Sequence, residues 1–177
     1  VPPPLSPQAF PLPSLSRRLP TLLVACGPAQ TGAIGLVCAR HLRSFVGDTG
    51  TRRCRCRCRL QVQLINDAYN AVVDAVLGAE AEVAEGTEPC AAVLATLKHV
   101  RIPIVSLDVP SGWVAGRGGS SDLRPDVLVS LGAPKEAARR FQGRRHFLAG
   151  RFVPEELQRK FGISPRRYPG SDCVVAL

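Results

Sequence analysis

The stretch "TLLVACGPAQTGAIGLVCARHL", residues 21–42, decides the fold. Residues 21–26 read as a strand buried on both faces, as strands of parallel sheets are. Gly27 and Pro28 then break it. From Ala33 to Phe45 the apolar residues return at helical spacing, with Ile34, Val37, Cys38 and Leu42 on one stripe. A strand that breaks into a Gly–Pro turn and opens a helix is the usual shape of a nucleotide-phosphate cradle. Yet this turn carries no Asp, Asn, Lys or Ser. It is either a working site or the shell of one.

The pattern repeats downstream. "VQLINDAYN" reads as a short helix or turn, and 71–78 ("AVVDAVLG") as a strand running into an acidic loop, "AEAEVAEGTE". Pro89 opens a helix over 89–100 that ends in Lys and His. Residues 102–109 are the next buried strand, followed by a Gly/Ser-rich loop. Then come a strand at 125–132, a short helix in "PKEAARRF", a strand in "RHFLAG" and a helix at 154–162 with Pro first and Gly last. Strands alternating with helices predict an α/β layered domain with a mostly parallel sheet. Two segments interrupt it. Residues 1–20 are a proline-rich, irregular tail ahead of one domain at 21–177. Its lack of acids and its Arg17–Arg18 pair resemble a targeting peptide, whereas its prolines oppose an amphipathic targeting helix. Residues 46–61 ("VGDTGTRRCRCRCRLQ") carry neither a helical stripe nor an apolar core strand.

A chain of 177 residues can bury a real core, and 45% hydrophobic content excludes a disordered chain. The net charge of +9 is partly local: five arginines lie in 51–59 and four in 139–146. These runs are either a solvated basic face or a surface for an acidic partner. Of the nine aromatic residues only Phe141 falls within them, so no base-stacking platform and no nucleic-acid partner are predicted. Cys26, Cys38 and Cys90 read as small buried hydrophobes. Cys54, Cys56 and Cys58 alternate with arginine, without nearby histidine or the C-x2-C spacing that zinc favours. The seven cysteines make no disulfide framework. No apolar run approaches the ~20 residues of a membrane span.

In such sheets ligands sit outside the carboxyl ends of the strands. The sequence places there the turn 27–35, Asp74, the run Asp108-Val-Pro-Ser111-Gly-Trp113, and "GAPK" at 132–135. Asp108 is a candidate general base or a ligand to a hydroxyl group. Asp74 and the Ser111 hydroxyl can supply oxygen to a hard cation. The plainer alternative is that Asp108 and Ser111 cap a turn.

The motifs "LLVACGP", "VVDAVLG", "SLDVPSGW", "RPDVLVSLGAPK" and "GRFVPEEL" recur in the order found in the YjeF N-terminal domain family, and the chain resembles that family over 21–45 and 62–177. Members include NAD(P)H-hydrate epimerases, also called apolipoprotein A-I-binding proteins. The resemblance implies a three-layer Rossmann-like fold, usually dimeric. It implies NAD(P)H hydrate as substrate, bound through Gln30, Thr31, Gly32, Gly78 and Asp108, with Asp108 as the catalytic proton-transfer group. It also implies a potassium ion at Thr31, Asp74 and Ser111.

Departures from the family weaken that site. "QTGAIG" (30–35) stands where the epimerases carry "NNGGDG". Thr31 replaces the potassium-binding Asn, Ile34 an Asp, and Ala33 a glycine whose backbone would need positive φ or close phosphate approach. Glu80, Glu82 and Glu85 oppose a dinucleotide's phosphates. The usual acid after Trp113 is Val114. The family carries further sheet and helix elements where 46–61 stands, so the fold is expected truncated there. Two functions follow by resemblance: a binding protein for apolipoprotein A-I or high-density lipoprotein, acting in cholesterol efflux and angiogenesis, or an active epimerase. A cytoplasmic location is expected, with mitochondrial or secreted placement as alternatives.

Overall fold

The computed structural model describes residues 21–44, 48–53, 61–79, 89–113, 123–151, 153–162 and 168–177. The tail 1–20, Cys54, Cys56, Cys58, Glu80, Glu82, Glu85 and Val114 lie outside them. In chain order the elements are β1 (Thr21–Cys26), α1 (Gln30–Leu42), β2 (Asp48–Arg53), α2 (Val62–Ala68), β3 (Ala71–Ala75), α3 (Cys90–Leu97), β4 (Ile104–Leu107), β5 (Val127–Leu131), a 3-10 turn at Glu136–Arg140, β6 (Arg145–Ala149), α4 (Glu155–Phe161) and β7 (Val174–Ala176).

The strands form one sheet in the order β2-β1-β3-β4-β5-β6-β7. All neighbours are parallel except β6 and β7. Leu22, Val24 and Cys26 of β1, Val73 and Ala75 of β3, and Val127 and Val129 of β5 join α1 residues in one core cluster. Leu23, Ala25, Val72, Val76 and Ile104 pack on the other face with Ile65 of α2 and Val93, Leu94 and Leu97 of α3. This period-two division of each strand gives the predicted three layers. The order of the strands reverses at β1, so a crevice opens between the carboxyl ends of β1 and β3.

The structure corrects the sequence reading in three places. The segment 46–61 does contain a strand. β2 pairs in parallel with β1 from Thr21↔Asp48 to Cys26↔Arg53. An edge strand is held by backbone hydrogen bonds, which need no apolar run, and charged residues are common at edges. Second, β7 extends the sheet through three residues too few for a periodic signal. Third, α1 begins at Gln30 rather than Ala33, and its buried line is Thr31, Gly32, Gly35 and Ala39. Val37 is 56% exposed, while Ile34, Leu36 and Cys38 pack at the margin of the core. Small residues face the sheet because the helix lies close upon it. A Cβ on Gly35 would stand 2.5 Å from the Cβ of Ala75 and 3.0 Å from Cys26 Sγ.

Candidate functional site

The glycines of the first turn are used for contact between backbones. Gly27 N–H donates to Ala75 O at 3.0 Å, tying the turn to the end of β3. A Cβ on Gly27 would lie 1.8 Å from Val76 O, and one on Gly32 would lie 1.9 Å from Gly27 O. The chain therefore turns directly over the end of β3 and enters α1 at once. Gln30 is exposed at the first helical position. Thr31 is buried and abuts Gly78, where an added Cβ would fall 2.2 Å from Thr31 Oγ1. Gly78 has φ +61, a conformation that also favours glycine. The structure thus brings Thr31, Gly32 and Gly78 together at the crevice.

Two of the substitutions read from the sequence acquire different meanings. Ala33 is helical and exposed, so its Cβ opposes no positive-φ backbone. Ile34 packs against the core cluster of Val24, Val73 and Phe147. The side chain at this position serves packing and offers no acceptor.

Asp74 stands at the carboxyl end of β3, opposite Ser106 of β4, and is 1% exposed. Its Oδ2 accepts from Ser106 Oγ at 2.8 Å and from Ser111 N–H at 2.9 Å. Its Oδ1 accepts from Ser111 Oγ at 2.6 Å and from Val76 N–H at 3.3 Å. Ser111 Oγ in turn accepts from Leu77 N–H at 2.9 Å. A carboxylate offers about four lone-pair sites, and all four are engaged. The knot ties the ends of β3 and β4 to the loop 109–113. Of the three residues expected to hold potassium, Asp74 and Ser111 touch, and Thr31 abuts Gly78, the residue after the Leu77 that bonds Ser111. Among the described residues their uncommitted oxygen capacity is the Thr31 hydroxyl and one lone pair of Ser111. Among the described residues no three His, Cys, Asp or Glu side chains converge as a metal site.

Asp108 follows β4 and has φ +64; among the described residues no other non-glycine takes positive φ. Aspartate tolerates this region better than most residues, at a cost of about 1 kcal/mol. Its N–H donates to Val129 O at 2.7 Å, and its Oδ1 accepts from Leu131 N–H at 3.0 Å. Lys135 Nζ meets the same Oδ1 at 2.8 Å. The ammonium also donates to Leu131 O at 2.8 Å and Ala133 O at 3.3 Å. Its three protons are thus accounted for, and it acts as a clamp on Asp108. Among the described residues none bonds Asp108 Oδ2. The sequence reading missed this pairing, although "GAPK" directly follows a strand's carboxyl end, where ligand-facing residues gather.

Trp113 ends the loop 109–113 and anchors it. It is buried, donates Nε1–H to Leu123 O at 2.9 Å, and carries the Arg140 guanidinium 4.8 Å above its ring. It packs with Val109, Ala137 and Phe141. On the same side of β5 and β6, Ser130 Oγ and His146 Nε2 lie 2.9 Å apart. Burial lowers the His146 pKa below its ordinary value.

An open α/β sheet with a glycine turn at its switch point, and two carboxylates at adjacent strand ends, defines a Rossmann-like α/β domain. The comparisons with known proteins narrow this class. The family described as YjeF-related protein N-terminus matches residues 50–137. The human YjeF N-terminal domain-containing protein 3 is 52% identical over 96% of this chain. Zebrafish YjeF N-terminal domain-containing 3 is 46% identical, also over 96%. The chain spans 65% of the human relative's length and 78% of the zebrafish relative's. The crystal structure of yeast ynu0 superposes with a TM-score of 0.80 at 29% identity, over 97% of this chain and 84% of the yeast chain. The chain belongs to the YjeF N-terminal domain family. Among the described residues no helix is long and apolar enough to cross a membrane.

Proposed function

We propose that this chain keeps the pocket architecture of its family with a weakened epimerase site, and acts chiefly by binding. The reading rests on Asp74, whose four acceptor positions are filled by Ser106, Ser111 and Val76. A potassium ion placed at Thr31, Asp74 and Ser111 would have to displace bonds that hold the strand ends together. Ile34 supports the same reading, since a core side chain replaces the polar group expected there. By family resemblance the bound partner is apolipoprotein A-I or high-density lipoprotein, and the role is regulation of cholesterol efflux and angiogenesis.

The experiment is direct. Purified chain is mixed with R and S hydrates of NADH and NADPH, with and without potassium, and their interconversion is followed. Interconversion no faster than the spontaneous rate is expected. Rapid, potassium-dependent conversion that Asp108→Ala abolishes would defeat the proposal. Saturable retention of the chain on immobilised apolipoprotein A-I is expected in parallel; no retention removes the partner assignment alone.

A second reading, an active hydrate epimerase, draws on Asp108. A charged residue held at positive φ at a strand terminus, with Oδ2 open, is the kind of strained position found at working sites. There Asp108 would move the proton and Lys135 would hold its carboxylate in place.

A further inference from the structure

The amino ends of the parallel strands lie at the far side of the sheet from Asp74 and Asp108. A strand of five residues separates the two ends by roughly 15 Å. At this far side the leads into three adjacent strands carry cations: Arg101 before β4, Arg124 before β5, and Arg144 and Arg145 at the start of β6. All four are exposed, as is Lys98 at the end of α3.

The leads are drawn together by one residue. Asp126 O accepts from the N–H groups of Arg144 and Arg145, at 2.7 and 3.3 Å, and Asp126 N–H donates to Ile104 O at 2.9 Å. The Asp126 carboxylate is committed to Ile104 N–H at 3.1 Å and Arg144 Nε at 3.5 Å. On α2 the Asn66 side chain accepts from Arg101 N–H, and Asp67 follows Asn66 in the chain. Asp67 is engaged by Gln63. Among the described residues no carboxylate pairs with Arg101, Arg124 or Arg145. Lys98 complements the dipole of α3. Arg101 lies four residues beyond Leu97, the last residue of α3; among the described residues Arg124 and Arg145 follow no α-helix end, so that explanation does not extend to them.

We propose that this end of the sheet docks on an anionic lipid bilayer. The inference is independent of the reading given to the pocket. Protein interfaces usually place an apolar or aromatic anchor at their centre. Here, among the described residues, Leu177 is exposed at the rim, where its N–H meets His146 O, and Leu64 is exposed on α2, the helix whose Asn66 accepts from Arg101 N–H; neither lies within the arginine leads. A nucleic-acid surface would be expected to offer exposed aromatic rings for stacking, and these leads contain none. Mobile acidic headgroups can gather beneath a flat array of cations without such features.

The test is co-sedimentation of the full chain with phosphatidylcholine vesicles, with and without phosphatidylserine, at low and high salt. Binding that needs phosphatidylserine and is lost at high salt is expected. The variant Arg101→Gln/Arg124→Gln/Arg145→Gln should weaken it about 100-fold, from roughly 1 kcal/mol for each cation near the surface. These exposed substitutions retain the fold, checked by an unchanged thermal melt. A control variant, Arg159→Gln/Lys160→Gln on α4, should bind as the parent does. Equal binding to neutral vesicles, retained binding by the triple variant, or equal loss in the control would each overturn the proposal. So would a polyuridylate affinity matching that for the vesicles.

Discussion

Asp74 and Asp108 are the same residue type, at the same end of the same sheet, on neighbouring strands. Their surroundings assign them opposite work. Asp74 is sealed from solvent and meets four donors, so its charge is spent on holding loop 109–113 against β3 and β4. Asp108 has a partly exposed side chain, a positive φ, and one oxygen held by Lys135 and Leu131 N–H. A carboxylate near a pocket can therefore be architecture or chemistry, and the number of its acceptor sites already filled separates the two.

The sharpest way to break this contrast is to remove Asp74. Asp74→Ala strands Ser106 Oγ, Ser111 Oγ and the N–H groups of Ser111 and Val76 in a buried site. Unsatisfied buried polar groups cost about 1–3 kcal/mol each, and neighbours partly compensate. A loss on the order of 3–5 kcal/mol is expected in urea denaturation. A loss below about 1 kcal/mol would mean the knot is not structural. Gly27→Ala should follow, at about 2–3 kcal/mol, because its Cβ would press on Val76 O, a backbone atom that cannot swing aside. A small cost there would show that the turn over β3 is looser than its packing implies.

The fold was legible where residues repeat a period. The strands at 21–26, 71–75, 104–107 and 127–131 announce themselves by apolar runs broken by at most one polar residue, and 145–149 by the Phe-Leu-Ala that ends it. β2 was not legible, because "DTGTRR" pairs through its backbone and carries no apolar signature. The inward line of α1 escaped for a related reason. Its contacts are made by Thr31, Gly35 and Ala39, and a search for bulky apolar spacing selects Val37, which faces solvent. At the site, the positions of Asp74, Asp108 and Ser111 followed from the strand ends. Their bonding did not, because Ser106 is an in-register neighbour across β3 and β4, and Lys135 returns to Asp108 from the loop beyond β5. Both contacts are long-range and leave no local trace in the chain.

On the Asp108 side the expected effects on stability are smaller. Asp108→Asn keeps a side chain that accepts positive φ and can still receive Leu131 N–H. Lys135→Met removes a partly exposed ion pair, whose worth is about 0–1 kcal/mol. Each should move the melting midpoint only slightly. If Asp108 contacts a bound ligand, each should nevertheless weaken ligand affinity, measured by calorimetry, by far more than it lowers stability. An Asp108→Asn variant as unstable as Asp74→Ala would erase the distinction between the two carboxylates.

The smallest effect concerns Ser130 and His146, a polar pair that belongs to neither carboxylate. Burial favours the neutral imidazole, so the folded pKa lies below the ordinary value of 6.5. Below that ordinary value the unfolded chain binds the proton more readily than the folded one. The contribution to stability is therefore complete above pH 6.5 and is lost as the pH falls through the folded pKa. The half-open setting, with Arg145 adjacent and the Phe141 ring 5.6 Å away, keeps the change small, under about 1 kcal/mol. His146→Gln should accordingly flatten the acid limb of a plot of melting temperature against pH while leaving the neutral limb in place. If the variant instead grows more sensitive to acid, protonated His146 is stabilised in the folded state, and the pair is an ionic contact rather than a buried neutral hydrogen bond.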